Sequence, residues 1–217
     1  MPTNRTHKRG IARVLAFVVG ISLLAGCDTY RLAAARPAQS PEAAAAAKLP
    51  QCASCHQEDG VSRAERFPNL AGQQKDYIMA QLTAFRDHTR QDRDAKTYMW
   101  GMAAGLSDAT IAILAADYSA KPPAAAARGN GNRVAAGEAI YEKGVAARGV
   151  LACASCHGAH GEGNAAIPRL AGQHNGYLVV QLGAFASGSR DNAVMRLVAK
   201  SMTPEDVRDV SAYLSSW

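Results

Sequence analysis

The stretch CASCH at residues 52–56 occurs again, letter for letter, at residues 153–157. A second shared stretch follows each copy, because PxLAGQ at 68–73 recurs at 168–173. Self-similarity with a period of about one hundred residues indicates a tandem duplication. A unit of that size can build a core of its own, but small domains often need a metal or a covalent staple to be stable.

Apolar residues within each unit follow a helical period. A helix is predicted to begin after Ser107 in the first unit and after Thr203 in the second, where Pro204 suits the first helical position. Their apolar stripes are Ile111, Leu114, Ala115 and Tyr118, and Val207, Val210, Tyr213 and Leu214. A short helix is expected at 137–144. Strand-like alternation is essentially missing, so we predict an all-α fold.

Composition gives the domain boundaries. Residues 121–133 are rich in Ala, Pro and Gly and predict a linker between a first domain at 41–120 and a second at 134–217. Residues 28–40, rich in Ala, Pro and Arg, predict a tether ahead of the first domain.

Residues 1–27 have the features of a secretory signal. Basic and polar residues at 1–13 precede an uncharged apolar run at 14–25, which is too short to span a bilayer as a helix. The run ends in LAGC at 24–27, which resembles a bacterial lipobox. We expect lipidation of Cys27 and an anchor on the periplasmic face of the inner membrane, since Asp28 resembles a retention signal. Ordinary cleavage near Cys27, giving a soluble periplasmic protein, is the alternative.

The net charge of +6 comes mostly from that signal, which contains four bases and no acid. Without these four bases, the chain has twenty basic and 18 acidic residues. Nucleic-acid-binding proteins usually carry a strong basic excess or stripe, so no nucleic-acid partner is expected.

The C-x-x-C-H pattern is the attachment signature of c-type haem. Cysteines three residues apart can form thioethers with two vinyl groups on one porphyrin edge, and the next histidine can then ligate the iron. Zinc needs four separated ligands, a thioredoxin-like site needs a βαβ setting, and a pair of disulfides gives no reason for the histidines. We therefore predict two covalent haem c groups, with thioethers at Cys52, Cys55, Cys153 and Cys156 and iron ligands at His56 and His157.

Together, the two CxxCH units, PxLAGQ, the following QLxxF and the secretory signal resemble the cytochrome c4 family of dihaem class I cytochromes. The resemblance covers about residues 50–217. It implies a class I cytochrome c fold for each domain, a distal Met on each iron, and a proline carbonyl that accepts from each proximal histidine. Pro68 and Pro168 match that proline.

Duplication discriminates among the methionines. The last helices of the units align at an offset of 96, which pairs Met99 with Met195 as methionines in both units and so predicts these two as the distal iron ligands. Met79, Met102 and Met202 each align with an ordinary apolar residue of the other unit, which favours a role in core packing. Met102 is the reserve candidate for the distal ligand of the first haem. The remaining histidines, including His88, His160 and His174, are expected at the surface.

Several polar residues also recur, namely Gln73 and Gln173, Tyr77 and Tyr177, and Arg90 and Arg190. They either line the haem edge or the haem propionates, or they contribute to domain packing.

The resemblance implies an electron carrier rather than an enzyme, because His/Met ligation leaves no free position on the iron. Expected partners are redox proteins: a quinol-oxidising complex or periplasmic dehydrogenase as donor and a terminal oxidase as acceptor. The alternative is a cytochrome subunit of a periplasmic dehydrogenase, such as a sulfide-oxidising flavocytochrome. A dihaem peroxidase would need one iron to lose its distal ligand.

Overall fold

A computed structural model describes residues 39–125 and 131–217. The predicted signal at 1–27, its Cys27 and most of the predicted tether lie outside the described residues, as does part of the predicted linker.

The first domain contains four α-helices. They are α1 at Pro41–His56, α2 at Lys75–Arg86, the short α3 at Trp100–Ala103, and α4 at Asp108–Ser119. A π-helical turn at Ala95–Met99 leads directly into α3.

The second domain repeats this plan with differences in its short elements. It contains α5 at Gly131–Lys143, a 3₁₀ turn at Ala146–Arg148, α6 at Ala154–His157, α7 at Asn175–Ser187, α8 at Ala193–Ser201 and α9 at Pro204–Ser215. Within the described ranges, β-structure is limited to isolated bridges that join Val145 to Val150 and Asn164 to Ile167. The predicted all-α fold is confirmed.

Helix boundaries follow local capping rules. The Ser107 hydroxyl accepts from the Thr110 N–H at the start of α4, as predicted. Thr203 caps α9, where its side chain accepts from the Asp206 N–H while the Asp206 carboxylate accepts from the Thr203 N–H. The predicted helix at 137–144 is longer than expected, because α5 begins at Gly131 inside the predicted linker.

In the first domain, α4 packs against α1 and α2. The core of this domain consists of buried apolar side chains from all three helices and from the segment before α4. Ile111 and Leu114 are almost fully buried. The predicted stripe of α4 is buried throughout.

In the second domain, α9 packs against α5 and α7. Gly137 permits the close crossing of α5 over α9, since a Cβ there would lie 2.1 Å from the Asp209 carbonyl oxygen. Tyr141 of α5 is fully buried and meets Tyr213 and Trp217 at ring distances of 5.7 and 5.2 Å. The predicted stripe of α9 is buried except at Val207, which is half-buried.

Among the described helices, none is by itself long and apolar enough to cross a membrane, although the pair Ala95–Ala103 and Asp108–Ser119, bent by 113°, has the length and composition to do so.

Candidate functional site

Each CxxCH motif closes a helix. Cys52 and Cys55 lie in the last turn of α1, which ends at His56, whereas Cys153 directly precedes α6, which ends at His157. All four of these thiols are free, and three are half-buried while Cys156 is exposed. The disulfide alternative therefore finds no support in the described cysteines.

The two histidines are buried and are held by the predicted prolines. His56 Nδ1 lies 2.9 Å from the Pro68 carbonyl oxygen, and His157 Nδ1 lies 3.0 Å from the Pro168 carbonyl oxygen. A carbonyl only accepts, so Nδ1 donates in both cases and Nε2 keeps its lone pair for a metal. This arrangement, with one ring nitrogen bonded to an oxygen and the other available, is the usual setting of a metal-ligating histidine.

Burial lowers the pKa of both His56 and His157, although their hydrogen bonds to the proline carbonyls oppose the shift. The imidazoles are therefore neutral at pH 7, and the neutral form is the one that binds a metal.

Burial raises the pKa of the thiol that begins each CxxCH motif. The pKa of Cys153 rises to about 11, and that of Cys52 is also raised. Redox-active CxxC thiols need a lowered pKa, which these surroundings do not provide. Free thiols beside a buried neutral imidazole fit covalent haem attachment better than thiol–disulfide exchange.

The loops that join each histidine to its proline are fixed by different contacts. In the first domain the Ser62 hydroxyl donates to the Cys55 carbonyl at 3.0 Å, and the Ser62 N–H donates to Asn69 Oδ1 at 2.9 Å. In the second domain the Gly163 N–H donates directly to the His157 carbonyl at 2.8 Å. The two loops differ in sequence and in hydrogen bonding, but each one bonds to the backbone at the end of its CxxCH motif and so holds the histidine in place.

Met99 and Met195 occupy unequal local structures. Met99 ends the π-helical turn and is half-buried beside the first core, while Met195 is half-buried in the first turn of α8. Asp92 and Asn192 lie at matching positions, and their side chains accept from the N–H groups of Ala95 and Met195 at the start of each segment.

Met99 lies seven residues after Asp92, but Met195 lies three residues after Asn192. The additional residues of the first domain fall at the π-helical turn. π-Helical turns are rare and occur often at functional sites. The change of repeat offset from 100 to 96 indicates in the sequence that the two units differ in length before their last helices, but it does not predict the π-helical turn.

The other methionines differ in position. Met79 and Met202 are partly buried at the edges of the cores. Met102 is 41 % exposed, so the expectation that it packs in the core is wrong.

The recurring polar residues meet between the two domains. Gln181 Oε1 accepts from Arg90 and from Arg190, at 2.7 Å each, and Gln81 Oε1 accepts from the same two residues at 2.8 and 3.0 Å. Arg190 also donates to the Tyr77 hydroxyl. Of the two alternatives for these residues, this geometry supports packing of the domains.

The interface also includes residues that the sequence did not predict to lie there. Asp92 is 3 % exposed and accepts from Arg90 Nε at 2.6 Å. His174 Nε2 lies 2.9 Å from the Ser62 carbonyl of the other domain, so its expected surface position is wrong. His88 and His160 are exposed, as expected, and His88 stacks on Trp100.

Comparisons with known proteins agree with this geometry. The sequence model of the cytochrome c family matches residues 42–116 and 134–217. Cytochrome c4 of Azotobacter vinelandii is 37% identical over 183 residues, which cover 79% of this chain and 87% of the relative. The chain belongs to the cytochrome c4 family.

Other relatives and a solved structure are also similar to this chain over most of its length. Cytochrome c-552 of Acidithiobacillus ferridurans is 41% identical over 167 residues, covering 76% of this chain and 73% of the relative. The cytochrome c4 structure from Acidithiobacillus ferrooxidans superposes with a TM-score of 0.74 at 40% identity, covering 77% of this chain and 99% of the other. A thiosulfate dehydrogenase electron acceptor of Thiomonas intermedia is 33% identical over 181 residues, covering 80% of this chain and 82% of the relative.

Membership of the cytochrome c4 family establishes two tandem cytochrome c domains, each with one covalent haem c at its CxxCH motif. The chain is therefore a dihaem electron-transfer cytochrome.

Proposed function

We propose that this chain carries single electrons in the periplasm between a respiratory donor, either a quinol-oxidising complex or a dehydrogenase, and a terminal oxidase. The observation that supports this most directly is the pair of buried histidines, each bonded through Nδ1 to a proline carbonyl and each next to free cysteines.

The residue assignments are part of the proposal. Cys52 and Cys55 hold the first haem and Cys153 and Cys156 the second, through thioethers. His56 and Met99 ligate the first iron, and His157 and Met195 ligate the second. Pro68 and Pro168 orient the two histidines.

The ligand set decides between electron transfer and catalysis. A haem iron with His and Met in its axial positions exchanges one electron at a raised potential and leaves no position for peroxide or substrate. The protein therefore restricts its cofactors to electron transfer. Measurable peroxide turnover by the reduced protein would instead favour a dihaem peroxidase.

Lipidation of Cys27 would keep the carrier beside its membrane-bound partners. Two or more acyl chains hold a protein firmly on a bilayer, whereas one gives only marginal binding. We expect labelled palmitate to be incorporated by the full chain and not by Cys27→Ser. The variant should move from the membrane fraction to the soluble periplasm, and an unlabelled wild-type chain would contradict lipidation.

Reconstitution tests the carrier function. Membrane vesicles that contain a quinol-oxidising complex and a terminal oxidase are washed free of c-type cytochromes and supplied with the haem-loaded chain. Quinol-dependent oxygen consumption should return. It should stay absent when the vesicles receive a haem-loaded cytochrome c of unrelated surface at the same concentration.

A second candidate function is favoured by the relative named as a thiosulfate dehydrogenase electron acceptor. In this case the chain would take electrons from a periplasmic dehydrogenase with which it forms a complex. Fast reduction by thiosulfate and thiosulfate dehydrogenase, with no reduction by the quinol-oxidising vesicles, would favour it over the first candidate.

A further inference from the structure

Two glutamines cross the domain interface and bind the backbone beside the prolines. Gln173 Oε1 accepts from the Asn69 N–H at 2.9 Å, and Gln173 Nε2 donates to the Asn69 carbonyl at 3.0 Å. Gln73 does the same in the opposite direction, accepting from the Arg169 N–H at 2.7 Å and donating to the Arg169 carbonyl at 2.9 Å. Each domain thus supplies one glutamine to the other.

Both glutamines are buried and fixed. Gln173 is 5 % exposed and Gln73 is 7 % exposed. Their Oε1 atoms also accept from the N–H groups of His174 and Gln74, at 3.0 and 2.9 Å. A hydrogen bond in such dry surroundings is electrostatically stronger than one in water, and losing a partner there leaves buried polar groups unsatisfied.

The contact leads directly to the histidine through a single peptide group. The carbonyl of Pro68 and the N–H of Asn69 belong to the same planar peptide unit. His56 donates to that carbonyl, while Gln173 accepts from that N–H. The second domain has the same arrangement, with His157 and Gln73 on the two sides of the peptide between Pro168 and Arg169.

We propose that Gln173 is a positioning residue for His56, and Gln73 for His157, so that each domain tunes the haem ligand of the other. The inference rests on the proposed role of the two histidines as iron ligands. A hydrogen bond at the peptide N–H polarises the peptide and makes its carbonyl a better acceptor. A better acceptor increases the electron donation of the imidazole to its metal.

Removal of one glutamine should therefore affect one haem. With a weaker bond at Nδ1, the imidazole donates less to the iron, the ferric state is less stabilised, and the midpoint potential rises. A glutamine that only held the domains together would influence both haems alike.

The test uses the full haem-loaded chain as wild type, Gln173→Leu and Gln73→Leu. Leucine has a similar volume but no hydrogen-bonding group. Gln74→Leu is the matched control, because Gln74 Nε2 donates across the same interface to the Glu162 carbonyl, at 2.8 Å, without bonding either peptide that follows a proline. Spectroelectrochemical titration gives both midpoints, and ¹⁵N-histidine NMR follows the Nδ1–H signals.

We expect Gln173→Leu to raise one midpoint and Gln73→Leu to raise the other. Each rise should correspond to a three- to tenfold change in the reduction equilibrium, which is about 30 to 60 mV for one electron. Each variant should also shift one histidine Nδ1–H signal, and Gln74→Leu should move neither midpoint. Should Gln173→Leu fail to fold, Gln173→Asn, which is one methylene too short for both bonds, replaces it.

The proposal is overturned if both leucine variants shift both midpoints equally, if neither shifts any, or if the affected midpoint falls. Failure of the ligand assignment is distinguishable from these outcomes, because the wild-type protein itself would then lack two iron-shifted histidine Nδ1–H signals.

Discussion

Gln57 and Gly158 share one unusual backbone conformation, each directly after the histidine of its motif. Gln57 has φ 63° and ψ 162°, and Gly158 has φ 86° and ψ 161°. This region is essentially restricted to glycine, and another residue there costs about 1–3 kcal/mol. The first domain therefore contains local strain that the second domain avoids.

Gln57→Gly should stabilise the protein by about 1 kcal/mol, because the relief of strain exceeds the entropy that glycine adds to the unfolded chain. Chemical denaturation of the haem-loaded chain measures the change. Gly158→Ala is the matched opposite. It should cost about 1–2 kcal/mol through its positive φ alone, because the Glu162 carboxylate, 2.3 Å from the position of the added Cβ, can move away and relieve the clash. A destabilised Gln57→Gly would show that the side chain of Gln57 matters more than its backbone strain.

Met99→Ala and Met195→Ala should each remove one Met–ferric charge-transfer band and lower one midpoint potential, because an axial Met raises the potential of a haem. The two losses should be additive in the double variant. Met102→Ala is the control for the first haem and should leave both bands in place. If Met99→Ala is spectrally silent and Met102→Ala is not, the ligand of the first iron is Met102.

The segments around the two proposed Met ligands differ, so we also expect two unequal midpoints in the wild-type protein. Met99 is the last residue of a π-helical turn, while Met195 lies in an α-helical turn capped by Asn192. The loops before Pro68 and Pro168 differ as well. A titration that resolved a single two-haem step with identical midpoints would contradict this expectation.

Arg90 and Asp92 form a buried ion pair at the domain interface, with side chains 7% and 3% exposed. Arg90→Leu leaves the Asp92 carboxylate buried without its cation, and such a loss typically costs about 3–5 kcal/mol. The variant should lower the unfolding free energy by about that amount. Arg66→Leu, which breaks the more exposed pair with Asp94, should cost far less, because water already solvates much of that pair. Equal losses in the two variants would indicate that the buried pair is no more important than the surface pair.

The sequence predicted the features that depend on local rules. The caps at Ser107 and Thr203 need only a few neighbouring residues, and the CxxCH motif needs only five. The contacts of Gln173 with Asn69 could not be predicted, because they join residues about one hundred positions apart and depend on how the two domains dock. Repetition showed that the glutamines matter in both units, but it gave no information on whether they face a haem or the other domain.

Asp206 links the start of α9 to the rest of the second domain. Its carboxylate accepts from the Thr203 N–H at 2.7 Å and from Arg148 at 2.5 Å. Burial acts to raise the pKa of Asp206, but the hydrogen bonds from Thr203 and Arg148 prevail and lower it below the ordinary value. The ionised carboxylate is thus favoured in the folded state over the unfolded state.

A carboxylate with a lowered folded pKa stabilises the protein above its unfolded pKa of about 4, and that contribution is lost as the pH falls through the folded pKa. Asp206→Asn should therefore destabilise the protein by about 1 kcal/mol at pH 7, a typical cost for a damaged cap. The difference from wild type should shrink between pH 5 and pH 2, because the wild-type carboxyl becomes protonated. Denaturation at pH 7 and pH 3 measures it, with Glu205→Gln as control, since the Glu205 side chain is 66% exposed. A difference of equal size at both pH values would mean that shape, rather than charge, makes Asp206 stabilising.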